Sequence, residues 1–423
     1  MMAEPLVLLL MLAVFAGLAM VLKWPIGLAL ALSALAGSLA SGNGLGLRHL
    51  VEGSFGYFDT ILIILTATIF MKTLEATGFL DSAVAALLRA FARKKSLLLL
   101  TSMFIIMFPG MITGSSTAAI LTGGPLIAPV LMRLGLPRVK TAAFITMGGI
   151  LGMIAPPVNI LIMIMGAGVD MPYAGVTLPL LLIVIPLVPA VSLWIGRREL
   201  KAARPEELEE ILPASAWPRY GLRLVFPLLI VLALMLGPSL APGRFPDIGL
   251  PAAFFSGSLA GIFCGRRFNF FKITQKGMAE AMPILAILAG VGMFIQIMTL
   301  TGGRGWLVTS ILSLPSVLLY FGISVSLPLF GGVSTFGSAS ILGVPYILAL
   351  IDKNALLSSS AVSAIAGLGD LVPPAAISVR FSAQVVGERD FLKILKYCLL
   401  PAILQLAMGI GMLLLAPFLD KLM

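Results

Sequence analysis

The chain has 423 residues, 59% hydrophobic and 11% charged, with a net charge of +10 and a mean hydropathy of +1.10. So little charge excludes a soluble globular protein, which averages about 25% charged residues and would leave this much apolar surface in water. Long unbroken apolar runs exclude a transmembrane barrel, and two cysteines with one histidine exclude a disulfide framework and paired-histidine metal chemistry.

In chain order, runs long enough for a bilayer, about 20 residues, predict crossings near 5–22, 25–42 and 58–78. The first run has no basic leader and is followed by Lys23, which predicts an uncleaved span with its N-terminus outside. Residues 96–172 do not read as one span. They contain the cluster Pro109-Gly110-Met111-Ile112-Thr113-Gly114-Ser115-Ser116-Thr117 and then Pro156-Pro157. The reading is a re-entrant hairpin with its tip at 109–117, followed by a crossing broken at the proline pair, because proline removes an N–H and clashes with a preceding carbonyl. A crossing near 176–196 completes the first half, 1–196.

A linker, 197–219, follows. Pro205 with Glu206, Glu207, Glu209 and Glu210 suits the start of a cytoplasmic helix. The second half, 220–423, predicts crossings near 220–238, 248–265, 278–300 and 397–418. Its stretch 306–388 repeats the pattern, with Gly331-Gly332-Val333-Ser334-Thr335-Phe336-Gly337-Ser338 as a tip at 331–338, then Pro373-Pro374. The fold class is therefore an all-α polytopic membrane protein with about ten crossings, two re-entrant hairpins and two helices broken at Pro-Pro. On this topology 21 of the 28 Lys and Arg residues share one face and five lie on the other. That bias accounts for the +10 without nucleic acid and puts both termini outside. Gly37-Ser38-Leu39-Ala40 recurs at Gly257-Ser258-Leu259-Ala260, Pro125 at Pro345, and Pro156-Pro157 at Pro373-Pro374, all offset by 217–220. Five crossings per half make this an inverted repeat, a plan that places the site of a secondary transporter at the repeat interface.

Backbone that leaves helical geometry at membrane depth survives only where protein, water or a ligand satisfies it. The tips and breaks are therefore the candidate site. Hydroxyls and carbonyls of Gly114, Ser115, Ser116 and Gly152, and of Ser334, Thr335 and Gly337, are hard oxygen ligands suited to Na+ rather than a transition metal. Helix starts at Thr117 and Ser338 aim partial positive charge at an anion, and Asn159 offers an amide. Asp370 and Arg380 are charges inside a predicted crossing, each costing about 2.5–3.5 kcal/mol. We read Asp370 as a cation ligand and Arg380 as an anion contact. Lys72 and Glu75 are read as an ion pair on one helix face. Gly367-Leu368-Gly369-Asp370 also matches the Gly-x-Gly-Asp pattern of intramembrane aspartyl proteases, which need a second carboxylate; Asp59 is the nearest substitute. No ATP-binding loop is present. No catalytic residue and no cofactor is assigned, and an ion channel is the alternative from another class.

These residues resemble a known family. Lys23-Trp24-Pro25-Ile26-Gly27-Leu28, the tip Gly110 to Ala118, and Ile154-Ala155-Pro156-Pro157 are similar to the large membrane subunit of tripartite ATP-independent periplasmic (TRAP) transporters, of the ion transporter superfamily. The resemblance runs nearly end to end. It implies an elevator-type mechanism, sodium coupling near the tips, and uptake of a small organic acid across a bacterial or archaeal inner membrane. It also implies a small membrane subunit and a periplasmic solute-binding protein as partners. A stand-alone exchanger of the same superfamily is its variant.

Overall fold

The structure is a computed structural model and describes residues 3–200, 212–241, 244, 246–350 and 353–419. Among these residues every regular element is helical and none is a strand. The first half holds α1 (Glu4–Ala16), α2 (Ile26–Ala40), α3 (Leu47–Phe55), α4 (Phe58–Thr77), α5 (Phe79–Phe91), α6 (Lys95–Thr113), α7 (Ser116–Arg133), α8 (Arg138–Ile154), α9 (Ile160–Gly168) and α10 (Thr177–Gly196). The second holds α11 (Phe226–Leu240), α12 (Gly249–Gly261), α13 (Phe270–Leu300), α14 (Gly303–Leu312), α15 (Ser316–Gly331), α16 (Thr335–Ser338), α17 (Val344–Ala349), α18 (Ala355–Ala366), α19 (Ile377–Val386) and α20 (Phe391–Leu419). Among the described residues, seven helices are long and apolar enough to cross a bilayer. The linker helix expected at Pro205 lies outside the described residues. Residues 212–216 rejoin the fold on α5, where Ser82 Oγ accepts from the Ala216 N–H at 2.8 Å.

Two kinds of helix are distinguished by what surrounds them. In α8 every side chain from Thr141 to Ile154 is buried, and in α18 and the 3-10 turn after it every one from Leu357 to Leu371 is. A helix buried all round lies at the centre of its bundle, so the two broken helices are central. By contrast α1, α11 and α20 expose Leu6, Leu9, Leu229, Leu236, Ile403 and Leu414, faces that only lipid solvates. Two short helices, α3 and α5, were not expected between the crossings. Leu80, Val84 and Leu88 of α5 are buried on one face, a helical spacing that a search for unbroken apolar runs passes over.

Both clusters turn the chain back on itself. In the first, a Cβ on Gly110 would meet that of Ala119 at 3.0 Å, and one on Gly123 would meet the Ile106 Cα at 2.7 Å. Those pairings run antiparallel, so α6 and α7 are the legs of a hairpin. In the second, Ser338 Oγ donates to the Leu327 carbonyl at 2.7 Å and the Tyr346 hydroxyl pairs with Ser326 at 2.9 Å. The breaks follow at cis peptides, Pro156-Pro157 and Pro373-Pro374. Each break bonds to its own hairpin: Val158 N–H donates to the Met111 carbonyl at 3.1 Å, and Ala375 N–H to the Gly332 carbonyl at 3.0 Å.

The helices sort into two packed groups. In one, α13 lies against α2, α3 and α4, and α12 lies against α4 and α11. In the other, α6, α7 and α8 pack on one another, α7 and α8 also pack on α19, and α18 and α20 pair while α20 also meets α8. The second hairpin joins this group because α15 packs on the turn Gly367–Leu371. Backbone contact there is so close that a Cβ on Gly331 would lie 2.7 Å from the Gly369 Cα. Gly331→Ala is expected to cost about 1–3 kcal/mol through overpacking. Gly305→Ala, with nothing within 4 Å, is expected to cost nothing. Thermal unfolding of the two purified variants checks this, and equal midpoints would mean the contact is slack.

Candidate functional site

The tips are shaped by their caps. Gly114 ends α6 in the left-handed region at φ 65°, a conformation open to glycine at little cost. Ser115 then turns extended and caps α7, its Oγ accepting from the Ala118 N–H at 3.3 Å. Ser334 does the same for α16, accepting from the Gly337 N–H at 3.1 Å. The helices after the tips therefore start at Ser116 and Thr335. The second start lies three residues before Ser338, where it was expected; Ser334 is a capping side chain and Ser338 is already inside the helix.

These two first residues meet at one carboxylate. Asp370, in the 3-10 turn before the second break, is only 6% exposed. Ser116 Oγ donates to its Oδ2. Thr335 Oγ1 donates to its Oδ1 at 2.5 Å, and Ser378 Oγ of α19 donates to Oδ2 at 3.0 Å. A carboxylate accepts at both oxygens, so three hydroxyls from three segments satisfy it, with no base bonded to it among the described residues. Burial of such a group is tolerable only when it is hydrogen-bonded.

A cavity of about 300 Å³ opens beside this cluster. Ser115, Ser116, Thr117, Ser334, Thr335 and Asp370 line it together with Thr68, Thr113, Glu280, Phe336 and Phe381. It lies between the two helix groups, since Ile26 of α2, Thr68 of α4 and Glu280 to Ile287 of α13 supply one wall. The other expected residues are elsewhere. Asn159 caps α9, with its side chain bonded to Ile162 N–H, the Ile154 carbonyl and Ser363. Arg380 is exposed and donates to the Pro374 carbonyl at 2.7 Å. The carbonyls of Gly152 and Gly369 accept from the Ala155 and Val372 N–H groups within their own turns. Gly114, Gly337 and Ser338 belong to the tips but are not among the described lining residues.

Glu280 carried the same signal as Asp370, an acid inside a predicted crossing. Its partner could not be foreseen: Lys72 of α4 reaches Glu280 at 2.8 Å and Glu75 at 3.0 Å. Thr122 of α7 donates to Glu75 at 2.9 Å. The expected Lys72–Glu75 pair is thus the middle of a network that spans α13, α4 and the first hairpin. The network also lines a second cavity of about 400 Å³, which shares Glu280 and Leu121 with the first.

Residues 9–418 match the family described as Tripartite ATP-independent periplasmic transporter, DctM component. The chain belongs to this family. As a DctM component it is the large membrane part of a transporter, not an enzyme, and systems of this family also comprise a small membrane subunit and a periplasmic binding protein. The aspartyl-protease reading of Gly367 to Asp370 is thereby set aside, and Asp59 is not among the cavity's lining residues. Two solved structures share the fold. The YdaH transporter of Alcanivorax borkumensis is 18% identical, with a TM-score of 0.60, covering 88% of this chain and 89% of its own. MtrF of Neisseria gonorrhoeae, described as illuminating a class of antimetabolite efflux pumps, is 15% identical with a TM-score of 0.57, covering 87% and 83%. No curated protein matches the sequence.

Removing Lys72 alone leaves Glu75 and Glu280 as unpaired like charges. Lys72→Met is therefore expected to destabilise more than Lys72→Met with Glu280→Gln, giving an interaction energy of about 0.5–3 kcal/mol in a double-mutant cycle. Additive effects in thermal unfolding would mean the network is not coupled.

Proposed function

We propose that this DctM component is a cation-coupled secondary transporter for a small organic acid, with Na+ as the coupling ion. It would work in a bacterial or archaeal inner membrane, with a small membrane subunit and a periplasmic solute-binding protein as partners. The observation that carries the reading is the sharing of one buried carboxylate by both hairpin tips. Asp370, Ser116 and Thr335 present hard oxygens from two independent hairpins, the donor set Na+ prefers. In the absence of a cation the carboxylate repels an incoming acid: like charges about 4 Å apart cost about 4 kcal/mol at an effective dielectric of 20. A bound cation cancels that charge, so cargo binds after the ion and moves with it. Thr117 and the start of α7 then offer N–H groups and partial positive charge to the cargo's carboxylate.

The two packed groups suit an elevator. The hairpins, both broken helices, α19 and α20 would travel as one body past α2, α3, α4 and α13, carrying the cavity with them. The matching hairpin-to-break bonds support two halves related as an inverted repeat, with both termini outside.

Sodium binding is testable without the cargo. NaCl in place of choline chloride is expected to stabilise the purified chain by about 2.7 kcal/mol at a hundredfold excess over the dissociation constant. Asp370→Asn should abolish that gain. A wild-type midpoint indifferent to sodium would refute the coupling.

A further inference from the structure

The cavity's charge inventory narrows the cargo, on the reading that the chain is a cation-coupled carrier of organic acids. Two lining residues are charged, Asp370 and Glu280, and both are acids; among the described lining residues there is no Lys, Arg or His. A second carboxylate on the cargo would meet hydroxyls, carboxylates and apolar walls, with no cationic side chain to receive it. Glu280 is the unassigned part of this site. It projects from α13, on the helix group that does not carry the tips. Lys72 holds its Oε2 at 2.8 Å from the neighbouring cavity, and among the described residues its Oε1 has no partner. The side chain is 38% exposed, and Glu280 lines a cavity whose apolar surfaces include Ile26, Ile284, Ile287, Phe336 and Phe381. A free carboxylate oxygen among apolar and aromatic groups recognises a donor with positive charge: an ammonium supplies up to three N–H donors and is attracted to ring faces.

We infer that Glu280 binds an amino group of the cargo, and that the cargo is a zwitterion. Its carboxylate lies beside the cation at Asp370, its ammonium on Glu280, and its body is apolar. The two ends then touch the two helix groups, so one molecule bridges them and adds no net charge to the cavity.

A matched set of probes tests this on the purified full chain in sodium: L-phenylalanine, 3-phenylpropanoate, which lacks only the amino group, and succinate. Phenylalanine is expected to bind and raise the unfolding midpoint. Phenylpropanoate should bind at least about tenfold more weakly, because it leaves the site's polar group unpaired, and succinate should bind more weakly still. Glu280→Gln should shrink the preference for phenylalanine to about threefold or less, on the same ground. The wild-type comparison needs no variant and stands even if the substituted chain misfolds. Phenylpropanoate or succinate binding as well as phenylalanine, or no binding by any of the three, overturns the zwitterion assignment. The two readings fail separately. A preference for phenylalanine that persists in choline keeps the cargo assignment and removes the sodium coupling. Sodium stabilisation of the empty chain with no preference among the probes does the reverse.

Discussion

A single buried carboxylate organises the centre of this protein. Asp370 is held by hydroxyls from the first tip, the second tip and α19, and among the described residues no basic side chain lines its cavity. An unpaired carboxylate at membrane depth is costly, and hydroxyl donors lower that cost only while all three segments stay in register. The same bonds that satisfy the charge therefore hold both hairpins at one point. Anything that neutralises the carboxylate changes the energy of that junction.

Close backbone packing places the junction. Gly331 and Gly369 approach so nearly that the 3-10 turn carrying Asp370 lies directly on the second hairpin, and the Ala375 to Gly332 bond secures the far side of the break. The first half repeats the device with Val158 and Met111, yet it carries no acid: Met153 lines the cavity instead. One half thus supplies the charge and both halves supply the donors. Around this centre the Lys72 network ties α4 and α13 to the first hairpin through Thr122, in side-chain contacts that a sliding movement would have to break and remake.

Much of the architecture was legible because lipid imposes simple rules. Apolar length gave the long helices, and Gly/Ser/Thr clusters followed by Pro-Pro marked where helices stop. Asp370 stood out as an acid where acids are expensive, and the tip hydroxyls as polar groups at a break in the helix. Asn159 and Arg380 stood out in the same way and lie outside the cavity's lining. Their chemistry suits a ligand, but an asparagine can equally cap a helix and an arginine can equally satisfy a carbonyl left by a proline. Helix α5 escaped because its signal is a spacing, not a run.

By itself the sequence determined the solvent, the helical class, the two tips and the two breaks, since each follows from local composition and backbone chemistry. Only the tertiary structure decided which of the polar residues share a cavity. Ser116 and Asp370 are 254 positions apart, and no local rule relates them. Their meeting depends on two hairpins and a broken helix packing to one centre. The pairing of Glu280 was decided there too, because its contact with Lys72 depends on how α4 and α13 lie together.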